Sequence, residues 1–280
     1  METITGYRKG HAELRGICFS WLEWGDKQAP PMVLLHGLTG HAHTWDHMAP
    51  QLSRRFHIFA PDQRGHGDTA HAGAYRTQDF VDDLEALRAH WGLERFVLMG
   101  LSMGGHNAMA YAATHPDRVE RLIVIDIPPR IDRTKAPNWD VISRLAETGH
   151  RRYADFEAAY ADARLANKTA PDANLRYRTQ HNLVEQSDGS LVLKYDAKAP
   201  ARWEPEDLTD KISRITAPVL LVRGALSEVI TREAAQRMTA LFQTADLVEV
   251  PQSGHSVPTD RPEALTPVVL DWLTSVDARR

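Results

Sequence analysis

One pentapeptide constrains the fold of this chain more than any other feature. The segment FVLMGLSMGG, residues 96–105, contains G-x-S-x-G at 100–104, with an apolar run before it and an Ala-rich stretch after it. This context predicts a buried strand that turns directly into a helix. A serine at such a junction lies on a strained turn with its Oγ exposed, and the two glycines let neighbouring backbone approach closely. Ser102 is therefore the candidate nucleophile.

The rest of the chain alternates strand-like and helix-like segments. Residues 77–91 carry apolar side chains at helical spacing, and residues 11–24 predict an opening hairpin. Short apolar runs bounded by Gly and Pro predict further buried strands at 32–35, 58–60, 122–125, 219–222 and 247–250. Together these segments predict an α/β fold with a mostly parallel sheet and helices on both faces.

The strand pattern stops between Pro128 and Pro205. This stretch reads as mainly helical, so we expect residues 1–127 and 206–280 to form one core and residues 128–205 to form an inserted helical cap. Cap residues Trp139, Phe156, Tyr160 and Trp203 are expected to exclude water and line the substrate site. The cap contains Arg130, Arg133, Arg151, Arg152, Arg176 and Arg178, which could bind a carboxylate of the substrate. However, 13 Lys and Arg stand against 11 Asp and Glu between Pro128 and Pro205, which indicates that most of these charges are solvated. Arg130, at the entry of the cap, is the arginine that we select as a candidate substrate-binding residue.

A serine nucleophile needs a base and an oxyanion site. The segment PQSGH, residues 251–255, places His255 at a Gly-marked turn after the last predicted strand, which makes His255 the candidate base. The turn HGLTG at 36–40 closes an earlier strand and can direct the backbone N–H of Leu38 at a developing negative charge. The N–H of Met103, at the start of the helix after Ser102, is the second expected donor.

Four motifs, in their order along the chain, resemble those of the α/β-hydrolase superfamily. They are His36-Gly37, the loop DQRGHG at 62–67, the turn at Ser102 and Gly254-His255. The resemblance covers nearly the whole chain and implies an eight-stranded sheet. It implies a structural role for the 62–67 loop and a mechanism that requires no cofactor and no metal. Three histidines after the oxyanion turn, His41, His43 and His47, lack an accompanying ligand pattern and are not assigned to a metal.

The chain departs from the superfamily at the triad acid. Most members have an aspartate soon after the next-to-last strand, but here that region reads VRGALSEV at 222–229. Glu228 could take the role, since a glutamate can also orient an imidazole. Asp126, after the strand at 122–125, is the other candidate. The chain also resembles the cofactor-free (acetamidomethylene)succinate hydrolases, which carry the acid at the matching position, and this resemblance favours Asp126.

These features predict a serine hydrolase that cleaves a small carboxylic ester through an acyl-enzyme. Hydrolysis of an amide or enamide, a lactone or a carbon–carbon bond could use the same triad. A ligand-binding receptor on a hydrolase scaffold is the alternative from another class.

The composition of the chain limits the classes of binding partner that we expect for it. The 33 basic and 37 acidic side chains give a net charge of −4, so nothing favours nucleic acid or an anionic membrane surface. The single cysteine, Cys18, excludes an intrachain disulfide, and no signal or membrane segment is evident, so we expect a cytoplasmic enzyme with a small-molecule substrate. A homodimer is left open.

Overall fold

The computed structural model describes residues 6–131 and 139–278, with the side chains of 139–143 excepted. Within these ranges the strands are β1 (Arg8–Leu14), β2 (Ile17–Trp24), β3 (Pro31–Leu35), β4 (His57–Pro61), β5 (Tyr75–Arg76), β6 (Phe96–Leu101), β7 (Val119–Ile125), β8 (Leu183–Glu185), β9 (Leu191–Leu193), β10 (Trp203–Glu204), β11 (Val219–Gly224) and β12 (Ala245–Val250). The α-helices are α1 (Ala49–Leu52), α2 (Thr77–His90), α3 (Met103–Thr114), α4 (Trp139–Thr148), α5 (Phe156–Ala166), α6 (Asp172–His181), α7 (Ala199–Arg202), α8 (Arg232–Thr239), α9 (Val257–Asp260) and α10 (Pro262–Ala278). Short 3-10 turns lie at Ala42–Trp45 and Ile212–Arg214.

The main sheet has eight strands in the order β1-β2-β4-β3-β6-β7-β11-β12. The β1–β2 and β2–β4 pairs are antiparallel and the other pairs are parallel. The central strands β6 and β7 are buried along nearly their whole length, as a parallel sheet covered on both faces requires. The predicted α/β fold with a mostly parallel eight-stranded sheet is therefore confirmed.

Helices cover both faces of this sheet. Successive side chains of a strand point to opposite faces, so Leu98 packs in one layer and Met99 in the other. The first layer includes apolar residues of α2, α3 and α8, and the second includes residues of α1 and α10. Among the described residues, no helix is both long and apolar enough to cross a membrane.

Between β7 and β11 the chain leaves the sheet and forms α4 to α7. The N–H of Leu208 donates to the carbonyl of Pro129 at 3.0 Å, so the ends of this excursion lie side by side. An antiparallel hairpin, β8–β9, accompanies the helices, and its strands are at most partly buried. The sequence pattern predicted only helices here, although residues 191–193 are the apolar run LVL and Asp188-Gly189 before them is a typical hairpin turn pair. The cap boundaries 128–205 stay a prediction.

Candidate active site

Ser102 lies at the junction of β6 and α3 in a strained conformation. Its φ of 53° and ψ of −120° are unfavourable for a residue with a Cβ. A Cβ on Gly104 would lie 2.2 Å from the carbonyl oxygen of Leu35, and one on Gly100 would lie 2.2 Å from that of Gly104. Only glycine fits at these two positions, because Gly104 packs on the backbone at the end of β3 and Gly100 packs on the first turn of α3.

Three predicted side chains form one hydrogen-bonded chain. The Ser102 hydroxyl lies 2.9 Å from Nε2 of His255, and Nδ1 of His255 lies 2.7 Å from Oδ2 of Asp126. The side chain of Asp126 is fully buried, whereas that of His255 is 35% exposed. In this arrangement Nδ1–H donates to the carboxylate, which leaves Nε2 free to accept the proton of Ser102.

Asp126 follows β7 directly and has a φ of 55°. Its Oδ1 accepts the N–H of Gly224 at 3.0 Å, and its Oδ2 also accepts the hydroxyl of Ser227. Glu228, the alternative acid, is exposed one residue later and does not take part in this network. The structure therefore brings Asp126 to His255 and leaves Glu228 at the surface.

Ser227 belongs to this hydrogen-bond network, and the sequence motifs did not predict it. It lies at the point after β11 where most superfamily members have their aspartate, so a hydroxyl there now donates to an acid supplied by β7. The missing aspartate in VRGALSEV was the available signal. The serine three residues after Gly224 could have been read as the partner of Asp126.

The loop that carries His255 is clamped from two sides. A Cβ on Gly224 would lie 1.9 Å from the carbonyl oxygen of Gly254, so β11 and this loop are in direct backbone contact. On the other side, Oδ2 of the fully buried Asp260 accepts the N–H of Gly254 at 2.8 Å. Asp260 also accepts from Asn167 and Thr169, which tie the segment after α5 to the same loop. The base is therefore held in place by both the core and the excursion between β7 and β11.

The oxyanion turn lies against the nucleophile. A Cβ on Gly37 would be 3.2 Å from Cβ of Ser102, and the turn is closed by a 3.0 Å bond from the N–H of Gly40 to the carbonyl of Gly37. Thr39 has a φ of 62°, a further strained residue in the site. Met103 begins α3, whose first N–H groups have no intrahelical partner. Both predicted donors thus belong to backbone next to Ser102.

The 62–67 loop braces the oxyanion turn. The N–H of Gln63 donates to Nε2 of His36 at 2.9 Å, and its side-chain amide donates to the carbonyl of His36 at 2.6 Å. His36 is fully buried, and burial holds its pKa well below the ordinary value, so the ring stays neutral and its Nδ1–H donates to Gly37. Asp62 accepts the N–H of Ala42 at 2.6 Å, and burial raises its pKa to about 6.

The predicted substrate-binding residues fall into different places. Trp203 is buried in a small cluster with Met103, and Leu38 packs against the same cluster, so it lies beside the oxyanion donors. Phe156 and Tyr160 instead pack on each other between α5 and α6, where they form the interior of the cap rather than a wall of the site.

The expectation for Arg130 is wrong. Its side chain is 77% exposed and pairs with Asp207 at 3.6 Å, so solvent and a surface carboxylate already satisfy its charge. The side chain of Trp139 lies outside the described residues.

One cluster of side chains outside the triad contains residue types that bind metal ions in proteins. His43, Asp46 and His181 place one ligand atom each within 4.8 Å of one another. The rings of His43 and His181 stack with centroids 3.9 Å apart, so their in-plane lone pairs do not converge. Oδ2 of Asp46 already accepts from His43 at 2.8 Å and from Tyr177 at 2.6 Å. The stacked rings and the hydrogen bonds to Asp46 therefore indicate a polar interface between α6 and the core rather than a metal site.

Comparison with known proteins places this geometry in a family. The model of the alpha/beta hydrolase fold matches residues 30–262. The chain is 31% identical to an esterase of Mycobacterium tuberculosis over 89% of this chain and 84% of the esterase. It is 29% identical to 2-(acetamidomethylene)succinate hydrolase of Mesorhizobium japonicum over 87% of this chain and 88% of that protein.

Solved structures agree. The crystal structure of E-2-(acetamidomethylene)succinate hydrolase superposes with a TM-score of 0.85 at 25% identity, covering 96% of this chain and 99% of the other. The matched relatives include esterases, a lipase and other hydrolases. The chain belongs to the α/β-hydrolase fold family, and it is a hydrolase.

Proposed function

We propose that this enzyme hydrolyses a small carboxylic ester through an acyl-enzyme formed on Ser102. The observation that carries the proposal is the continuous chain from the Ser102 hydroxyl through His255 to the buried carboxylate of Asp126, with distances of 2.9 and 2.7 Å. A buried carboxylate fixes the tautomer of the imidazole and stabilises the imidazolium that forms during reaction. The same hydrogen-bonded series of side chains argues against a receptor that only binds its ligand.

The reaction proceeds in two balanced halves. Ser102 Oγ attacks the ester carbonyl while its proton passes to Nε2 of His255, and the N–H groups of Leu38 and Met103 stabilise the oxyanion. His255 then returns the proton to the leaving alkoxide as the carbon–oxygen bond breaks. Water attacks the acyl-enzyme by the same route, releasing the acid and restoring the Ser102 hydroxyl.

A second candidate is hydrolysis of an amide or enamide. It is supported by the similarity to the (acetamidomethylene)succinate hydrolase over 87% of this chain. The residues around Ser102 and His255 would act in the same way, and only the leaving group would differ, since nitrogen must be protonated as it departs.

Labelling and turnover test the proposal together. A fluorophosphonate probe should label the wild type, and a p-nitrophenyl ester of a short acid should be hydrolysed. Ser102→Ala should abolish both, because residual catalysis without the nucleophile is several orders of magnitude lower. Ser187→Ala, at an exposed serine in the β8–β9 turn, is the matched control and should keep both activities. Unchanged labelling or turnover in Ser102→Ala would refute the assignment.

A further inference from the structure

One face of α6 spans the two sides of the active site. Nδ2 of Asn174 donates to the carbonyl of Thr259, next to the loop of the candidate base, at 3.0 Å. Two turns later, Nδ2 of Asn182 donates to the carbonyl of Thr39 in the oxyanion turn at 3.2 Å. Residues four apart lie on the same helix face, so Arg178, midway between these asparagines, faces the space between the oxyanion turn and that loop.

The backbone at Arg178 is fixed there as well. Its carbonyl oxygen lies 3.1 Å from Nε2 of the buried His41, which follows the oxyanion turn. The guanidinium is close enough for its charge to lower the pKa of both His36 and His41. The backbone of Arg178 is therefore fixed next to the oxyanion turn, and the positive charge of its side chain acts on the two buried histidines of that segment.

Arg178 has no ion-pair or hydrogen-bond partner for its side chain in the part of the chain that the structure describes, although it is partly buried. Every other described arginine that is buried or partly buried has a carboxylate oxygen within 3.4 Å. Asp260 is the acidic group that acts on Arg178 through space, but its oxygens accept from Gly254, Asn167 and Thr169. Burial without a partner lowers the pKa of Arg178.

A purely structural role does not explain why Arg178 is partly buried without a partner. Arg178 lies in the last turn of α6, where a cation interacts favourably with the helix dipole. That interaction is equally available to an exposed side chain, so it does not require the partial burial of Arg178. The guanidinium is partly buried yet lacks the carboxylate partner that the other partly buried arginines of the described residues have, and partial desolvation of a charge is unfavourable without such a partner. An anionic ligand would supply the missing partner.

We infer that Arg178 binds a carboxylate group of the substrate, so that the ester hydrolysed by this enzyme is an anionic half-ester of a short dicarboxylic acid. The inference rests on the proposed function and narrows its substrate class. A planar guanidinium can accept a carboxylate through two parallel N–H bonds, which fixes the orientation of the substrate as well as its affinity. The carboxylate would lie on the α6 side of the site, opposite Asp126, with the ester carbonyl at Ser102.

Matched esters test this directly. Ethyl hydrogen succinate and ethyl succinamate differ only in a carboxylate against a neutral amide of the same shape, and ethanol release measures the hydrolysis of both. The wild type should prefer the anionic ester by about tenfold or more in kcat/KM, because a hydrogen bond to a charged group contributes about 1.5–3 kcal/mol. A wild-type ratio of one or less overturns the inference without any variant.

Variants of the arginines on α6 test which side chain causes the preference for the anionic ester. Arg178→Gln should reduce the anionic-to-neutral ratio by about 10- to 100-fold, and Arg178→Lys should retain part of it because the charge remains but the paired N–H geometry is lost. Arg176→Gln is the control, since Arg176 lies on the same helix and is already paired with Glu157 and Asp172. It should leave the ratio unchanged, and an equal loss in both arginine variants would overturn the assignment to Arg178.

A binding measurement separates this inference from the proposed function. Succinate should bind the Ser102→Ala protein, which cannot turn over substrate, and Arg178→Gln in that background should weaken binding at least tenfold by calorimetry. Equal succinate affinity with and without Arg178 overturns the inference even if neutral esters are hydrolysed. Loss of ester turnover and of probe labelling in the wild type would instead refute the proposed function, whatever succinate does.

Discussion

Exchanging each candidate acid for its amide separates the two positions that the sequence left open. In Asp126→Asn, the amide oxygen should face the N–H of Gly224, which now donates to Oδ1 at 3.0 Å. The NH₂ group then faces His255, where the carboxylate now accepts from Nδ1 at 2.7 Å. A donor in that place favours the tautomer with its proton on Nε2, so the ring can no longer take the proton of Ser102.

The expected magnitude is large. Loss of the correct tautomer in a serine triad lowers kcat by about 10⁴-fold, which corresponds to about 5 kcal/mol of transition-state stabilisation. Glu228→Gln is the matched control, because Glu228 is exposed and outside the network, and it should change kcat less than about twofold.

Initial rates on a p-nitrophenyl ester near pH 8, with melting temperatures to confirm folding, measure both variants. The reasoning fails if Asp126→Asn keeps a tenth of wild-type kcat, or if Glu228→Gln loses a hundredfold while still folded.

Three further predictions concern the site and its scaffold. Ser227→Ala removes one charge-assisted hydrogen bond from the triad acid, so kcat should fall about 10- to 100-fold, while Ser227→Thr keeps most of the activity in the same ester assay. Gly104→Ala places a Cβ 2.2 Å from the carbonyl oxygen of Leu35, and urea unfolding should show a loss of roughly 3 kcal/mol or more; an unchanged midpoint would contradict this packing. Burial lowers the pKa of His66 and His106 from the ordinary 6.5 to about 4, so each contributes stability above pH 6.5 that is lost as the pH falls through 4. Each ring should account for about 3 kcal/mol between pH 7 and 4, and unfolding of His106→Gln should show a shallower decline than the wild type; identical slopes would argue against it.

Much of the fold follows from local pattern. The apolar run at 96–99 and the Ala-rich segment after it predicted β6 and α3, because burial on both faces of a sheet demands such runs. The strand at 219–222 was likewise predicted, and β11 extends it by two residues to Gly224. The hairpin β8–β9 was missed because its strands have only three residues each, too few for an alternating pattern, although Asp188-Gly189 between them marks a turn.

The site was only partly predictable. The positions of Ser102 and His255 follow from their motifs. Close backbone contacts require the glycines around Ser102, and the loop of His255 packs its backbone against Gly224. The stripe that includes Phe156 and Tyr160 predicted a helix but not which surface that helix would cover, and the structure packs it on α6. Arg130 was selected for its place in the chain, yet its exposure depends on how the excursion after β7 folds back.

The sequence by itself determined that a strained serine follows a buried strand and that a histidine follows the last one, because both depend on neighbours within a few residues. Only the tertiary structure decided which carboxylate reaches His255, since Asp126 and His255 are 129 residues apart along the chain. Asp126 and Ser227, 101 residues apart, likewise meet only because β7 and β11 pair. It also decided that Arg178 is left unpaired while neighbouring Arg176 is not. Charge pairing between distant elements depends on three-dimensional distance, and local periodicity carries no information about it.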